Sequence, residues 1–289
     1  MKYKLKKYIL IILTALACYG CEKYVPYVNA PVFEQKLVVS SFLSPSDSVS
    51  YISVTSNQPV YQIVYQEEKT GALNGTLSDG ITEIELDTTE TGFVFRNDRM
   101  PLVQGHTYTV RISSDKGLYA EASATIPAIK DFMIEIDTET IVHESHGFYE
   151  NWKEFKISAE FSDDPGETNF YSVTGRFTGY KTNTGQEPKK YKERLWFEGS
   201  IVKDQKKDEN NRIKLDTRFY NSFSYYDSAF ITVFVMNTEE SYYLYHKSLE
   251  EYTGSDNPFS EAKPVYSNIK GGLGIFTSYT LDSVRLRIK

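Results

Sequence analysis

The sequence predicts a mainly β protein: two β-sandwich-like domains, the N-terminal one immunoglobulin- or transthyretin-like, and one amphipathic helix near the C-terminus. Three observations predict it. Aromatic residues make up 15% of the chain, with 23 Tyr and 17 Phe against 2 Trp, and such side chains pack well on a pleated surface. Short apolar runs are separated by polar turn clusters along most of the length, the pattern of a sandwich. One late stretch carries its apolar residues at helical spacing. With 25% charged and 40% hydrophobic residues, the composition is that of a globular chain.

The first segment, 1–20, stands outside the fold. "MKYKLKKY" supplies four lysines and "ILIILTALA" a short apolar core, too short to span a bilayer as a helix. It reads as a secretory signal. Gly20 precedes Cys21, and a cysteine at that junction suggests lipid attachment. Cys18 and Tyr19 depart from the usual lipobox, and Cys18, with "ALA" before it, is a rival. Cys21 is preferred because a charged, tether-like segment, 21–35, follows; an ordinary cleaved signal leaving a free thiol is the alternative. Cleavage before Cys21 removes four lysines and takes the formal charge from −7 to −11. It also leaves one cysteine, which excludes an intramolecular disulfide. So acidic a chain is a poor nucleic-acid binder, because phosphate contacts need clustered cations.

The N-terminal domain is expected over 36–128. "KLVVSSFL" is a β-rich run ended by the turn cluster "SPSDS". "VSYISVTSNQPVYQIVY" and "ITEIELDT" continue the series. "GHTYTVRIS" alternates Tyr108, Val110 and Ile112 with Thr107, Thr109 and Arg111, the period of a half-buried strand. "GLYAEASATIP" closes it, since Pro127 cannot donate to a continued ladder. A boundary near Ile129 opens the C-terminal β-rich domain, 129–289. Its strands are "FMIEIDTETIV", "WKEFKISAEFSD", "NFYSVTGRFTGY", "YKERLWFEGSIV" and "AFITVFVM". The mixed-sign run "KDQKKDENNR" reads as a solvated hairpin loop. The helix is expected at about 238–252, with Asn237 as cap and Glu240 three residues on. Tyr242, Tyr245, Leu249 and Tyr252 share one face; such a stripe packs on a sheet more readily than it stacks on sugar. Gly254 is the expected stop.

The candidate chemistry is thin. Gly271, Gly272 and Gly274 could cradle phosphate, but no Lys-Ser/Thr follows as in a P-loop. Nor does the strand–helix context of a dinucleotide fingerprint surround them. The structural reading is a backbone at positive φ, or too close to a neighbour for a Cβ. His143 and His146 flank Glu144 in "HESH" without the further ligands a structural zinc takes. His106 and His246 stand apart from them. Asp163–Asp164 and Glu250–Glu251 are adjacent acids on surfaces, and "FSDDPGETNF" lacks calcium-loop spacing. No nucleophile elbow is present. No enzyme, cofactor or metal site is expected.

Several stretches together resemble a lipoprotein family of the Bacteroidota catalogued as domain of unknown function 4249. They are "CEKYV", "KLVVSSFLSP", "QGHTYTVRIS", "ATIP", "FSDDPGETNFYSV" and "NPFSEAKPVYSNIKGGLGIF", with the helix before the last. The motif residues Asn257, Pro258, Phe259, Tyr266, Ser267, Asn268, Gly271, Gly272, Gly274 and Phe276 sit where the family pattern puts them, while Ala262 and Lys263 depart from an acidic-proline pair. The resemblance implies a non-catalytic outer-membrane lipoprotein, lipid-anchored at the cell surface or on the periplasmic face. It also implies association with a TonB-dependent transporter or another outer-membrane β-barrel. A stand-alone glycan- or peptide-binding lipoprotein is the alternative. Tyrosines suit interfaces, so the aromatic "FYNSFSYYDSAF", with Tyr225 and Tyr226, is the expected partner contact.

Overall fold

The computed structural model describes residues 32–59, 70–143, 152–163, 166–204, 207–221, 225–253 and 263–289. The leader, Cys18, Cys21 and most of the tether lie outside the described residues. So do Glu144, His146, Asp164, Gly254, Asn257, Pro258, Phe259 and Ala262.

Alternation in the sequence becomes alternation of burial. Leu37, Val39 and Leu43 of β1 (Leu37–Leu43) point inward and are buried. β2 (Val49–Ser56) does the same with Ile52 and Val54. β7 (Thr107–Ser114) buries Tyr108, Val110 and Ile112, as its period of two requires. β3 (Leu73–Ser78), β4 (Glu83–Glu85), β5 (Asp87–Thr89), β6 (Gly92–Arg96) and β8 (Tyr119–Thr125) complete the N-terminal half. The Tyr108 hydroxyl donates to the Pro101 carbonyl at 2.6 Å and accepts from the Val103 N–H at 2.8 Å. This is the kind of tie that closes a sandwich corner.

The C-terminal half begins with β9 (Glu135–His143), β10 (Trp152–Ser162), β11 (Phe170–Lys181) and β12 (Lys189–Leu195). It continues through β13 (Ile201–Lys203), β14 (Arg212–Asn221), β15 (Ser228–Thr238), the helix α1 (Glu240–Thr253) and β16 (Leu273–Arg287). Among the described residues α1 is the one α-helix, so the protein is mainly β with a single helix near its C-terminus.

Among the described residues, three sheets build two cores. A nine-stranded sheet runs β12-β11-β15-β16-β1-β2-β6-β5, with β13 also paired to β11. A four-stranded sheet, β4-β3-β7-β8, faces one part of it, and Phe93, Phe95, Tyr108 and Val39 fill the first core between them. A three-stranded sheet, β14-β10-β9, faces another part, and Phe161, Tyr171, Phe177, Phe219 and Ile231 fill the second. β16 serves both. Its Phe276, with Ile269 just before the strand, enters the first core, and Val284 packs on the second.

β1 and β16 are neighbours and parallel, with Val39 opposite Gly274 and Phe42 opposite Thr277. The first and last described strands are thus joined within the compact unit Gln35–Lys289. The connector around Ile129 is pinned to the late strands. The Ala128 carbonyl accepts from Asn237 Nδ2 at 3.0 Å and Thr280 Oγ1 at 2.8 Å, and the Phe132 N–H donates to Asp282 at 3.2 Å.

Candidate functional site

The glycine stretch sits where three strands meet. Gly271 and Gly274 have φ of 77° and 104°, the left-handed side that favours glycine. A Cβ on Gly274 would stand 2.0 Å from the Val39 carbonyl oxygen of β1, and one on Gly271 would stand 2.9 Å from the Tyr119 carbonyl oxygen of β8. Gly272 follows the second of the two expected reasons, close approach of a neighbour. Its φ is not positive, and what excludes a side chain there is the Leu37 carbonyl oxygen, 2.7 Å from a Cβ. Just before the glycines, Lys270 and Glu121 exchange both backbone hydrogen bonds, at 2.9 and 2.7 Å, which stitches the loop to β8.

Asn268 closes the loop from within. Its side chain donates to the Phe276 carbonyl at 2.7 Å and accepts the Phe276 N–H at 3.0 Å, in the manner of a short strand. The Tyr266 N–H donates to Ser248 of α1 at 2.9 Å, and Ser267 accepts the Ile269 N–H at 3.3 Å. The backbone N–H of Gly272 and its neighbours leads into β16 rather than into a helix. These motif residues hold β1, β8, β16 and α1 together.

The helix starts differently from the predicted capping pattern. Asn237 is buried within β15 and its amide is spent on Ala128. Glu239 is the residue before α1, and its carbonyl receives the first helical N–H, from Tyr243 at 3.3 Å. Its carboxylate turns inward. Oε1 accepts the Thr125 N–H of β8 at 2.6 Å. Oε2 accepts from Ser241 at 3.3 Å, Thr277 at 3.1 Å and the Ser278 N–H at 3.1 Å. Burial pushes the Glu239 pKa above its ordinary value, and the surrounding donors oppose that only in part. A carboxylate so fully engaged is a fastener rather than a free acid or base.

The tyrosine face of α1 divides. Tyr242 is buried against Phe42, at 5.5 Å between centroids, and against Tyr279 at 6.3 Å. Burial pushes the Tyr279 hydroxyl up to about 12. Tyr245 lies over Phe42 and His246, while Tyr252 is 51% exposed. Burial lowers the His246 pKa.

Tyr225 and Tyr226 are adjacent but not equivalent. Tyr225 is 49% exposed, and its hydroxyl lies 2.7 Å from that of Tyr191. This hydrogen bond between the two hydroxyls lowers the Tyr191 pKa and raises that of Tyr225. Tyr226 packs on the second core, and its ring occupies the space where a Cβ on Gly179 would be, 2.5 Å away. Of the pair, only Tyr225 is exposed.

A buried polar knot closes the other end of the second sandwich. The Asp163 carboxylate accepts from the Tyr171 hydroxyl, from Asn169 Nδ2 at 3.2 Å and from Lys207 Nζ at 3.0 Å. Lys130 donates to the Asn169 side-chain oxygen at 3.0 Å. The turn "FSDDPGETNF" thus contributes fold-closing contacts. Among the described residues, no three of His, Cys, Asp and Glu stand together as a metal-binding group.

The family described as Domain of unknown function (DUF4249) matches residues 22–285. The chain belongs to that family. The DUF4249 match begins at the residue after Cys21 and takes in both cores and the glycine stretch. No curated protein matches the chain.

Sequence reasoning left one group of residues unused. Lys190, Lys192 and Arg194 alternate with Tyr191, Glu193 and Leu195 along β12, and Arg285 and Arg287 alternate along β16. The period of two was the available signal; that the two strands share a sheet face became visible only with the strand order.

Proposed function

We propose that this chain is a non-enzymatic outer-membrane lipoprotein, held by acyl chains on Cys21. It serves as an accessory or partner subunit of a TonB-dependent transporter or another outer-membrane β-barrel complex, on the cell-surface side. The observation that carries the reading is the junction at Cys21. A basic, apolar leader ends there, and the DUF4249 match begins one residue later. Each buried acyl CH₂ contributes about 0.8 kcal/mol to membrane binding, so lipidation makes the bilayer the natural place of action.

Purification of the intact lipoprotein in mild detergent, with identification of what accompanies it, tests the partner. A β-barrel protein is expected. Cys21→Ala is expected to release the chain from membranes, while Cys18→Ala leaves a lipidated product, as read from the mass of the mature N-terminus. An unmodified terminus beyond Cys21 would overturn the anchor. The exposed Tyr225 beside Tyr191 favours a second reading, a stand-alone glycan- or peptide-binding lipoprotein. Ligand binding by the chain with no accompanying barrel would support that one.

A further inference from the structure

The nine-stranded sheet has an outer face, turned away from the second core, and α1 covers only one end of it. There Tyr242 lies against Phe42 and Tyr279, and its hydroxyl is 3.5 Å from Ser172. Among the described residues no helix covers the other end. On β11, Tyr171, Val173 and Phe177 point into the core, so Arg176, Thr178 and Tyr180 point out. The register sets Arg194 beside Arg176, Lys192 beside Thr178 and Lys190 beside Tyr180. On β15, Thr232 lies beside Arg176 and Phe230 beside Thr178. Arg285 and Arg287 of β16 follow, beside Thr232 and Phe230. Across four adjacent strands, β12, β11 and β16 therefore put six cations on one face of an acidic chain, and β15 between the last two contributes Thr232 and Phe230. Glu193 pairs with core-facing Phe177 and takes the opposite pleat.

These cations are treated differently from the rest. Of the nine arginines in the sequence, five are ion-paired among the described residues: Arg96 with Asp98, Arg99 with Asp87, Arg111 with Glu121, Arg212 with Glu160 and Arg218 with Glu154. The other four stand on this face. Three of them lean on rings, Arg194 at 3.9 Å from the Trp196 centroid, Arg285 at 3.9 Å from Phe230 and Arg176 at 5.0 Å from Phe234. Lys190 lies 5.7 Å from the Tyr180 centroid. Stacking holds a guanidinium flat; Arg285 also donates to the Tyr180 hydroxyl, and Arg287 Nε donates to the Lys289 carbonyl at 2.8 Å, so each has further N–H groups to offer an oxygen anion.

We propose that this face docks on an anionic bilayer surface, its cations meeting lipid phosphates; the inference rests on the lipoprotein reading, which places the chain at such a surface. Charge complementarity is the first argument, since each cation near an anionic leaflet strengthens partitioning about fivefold. Layering is the second. The cations stand over the aromatic rings, so the outermost layer is charge, and it includes Lys190 and Lys192, a residue type depleted at protein–protein interfaces. Shape is the third. The face is an open sheet whose concavity is a cleft of about 350 Å³ bordered by Arg176, Lys192, Glu193, Arg194 and Phe234, the scale of a headgroup. Trp196, 67% exposed beside Arg194, is the side chain that favours the headgroup level.

The test uses the exported chain carrying Cys21→Ser, so that no acyl chain contributes, in co-sedimentation with vesicles. Binding is expected to equal parts of phosphatidylcholine and phosphatidylglycerol, to fall as salt rises, and to vanish on phosphatidylcholine alone. Lys190→Gln with Lys192→Gln, both exposed on the edge strand β12, is expected to weaken it roughly thirtyfold at unchanged Tm. Equal binding to both vesicles, binding insensitive to salt, or an unaffected folded variant would overturn the proposal. So would absence of vesicle binding, and polyglutamate or alginate binding in its place would assign the face to an acidic protein or polysaccharide. Should the variant not fold, the salt and lipid dependence of the parent still decides. The barrel pull-down is read independently, so the two ideas fail separately.

Discussion

At Gly274 one carbonyl oxygen, that of Val39, occupies the space a Cβ would need, and φ is 104°. Gly274→Ala is therefore expected to lower stability by about 2 kcal/mol or more, since strain and a backbone clash combine. Gly185 makes the control: its φ is 78° but nothing lies within 4 Å of its Cβ position, so Ala there is expected to cost only about 1 kcal/mol. Urea denaturation of the two variants compares them. Glu239 is the second residue-scale test. Gln keeps its size but brings an NH₂ group among donors, leaving one buried N–H without an acceptor, at a cost of about 1–3 kcal/mol. Its pH dependence has a definite sign. Burial raises the folded-state pKa of Glu239, so the native state holds the proton more tightly than the unfolded chain. That contribution is present below the ordinary carboxylate pKa and is lost as pH rises through the raised folded value. The stability difference between the parent and Glu239→Gln should therefore widen as pH falls through that window. A difference that is flat or narrows would show that Glu239 is not the group responsible. Asp163 belongs at this scale as well. Its carboxylate is buried and ties Lys207, Asn169 and Tyr171. Asp163→Ala is expected to cost about 2–3 kcal/mol, below the figure for a fully buried pair because Lys207 is partly exposed.

Among the elements, those whose pattern repeats were legible and those set by a neighbour were not. β7 announces itself through Tyr108, Val110 and Ile112, and the structure buries all three. β14 carries as clear an alternation, Ile213, Leu215 and Phe219 inward with Lys214, Asp216 and Arg218 outward. It lies between a charged loop and an aromatic run whose composition suggests surface, and its ladder with β10 is what identifies it. The helix was legible from its tyrosine spacing, because an amphipathic face is a local property. Its start was not. Asn237 has the right side chain for a cap but sits in β15, where pairing with Tyr171 of β11 fixes its backbone as strand. The pair Tyr225 and Tyr226 shows the same limit. Adjacent residues diverge because one ring finds Gly179 beneath it and the other finds solvent beside Tyr191.

For the whole molecule, the organising feature is β16, which is long enough to serve both cores and lies parallel to β1. The Ile129 connector is bonded to β15 and β16 through Ala128 and Phe132. Truncation before Ile269 would therefore remove Phe276 from the first core along with the pairing partner of β1. The sequence by itself determined the mainly β class, the helix near the C-terminus and the family, because composition, period and motif are carried by residues near one another in the chain. Only the tertiary structure decided that the first and last described strands are neighbours, that Gly274 yields to Val39, and that Lys190, Lys192, Arg194, Arg176, Arg285 and Arg287 form one cationic face. Those relations join residues remote in sequence. They depend on strand order and register, which backbone hydrogen bonds and the filling of two cores select together, and which no local pattern encodes.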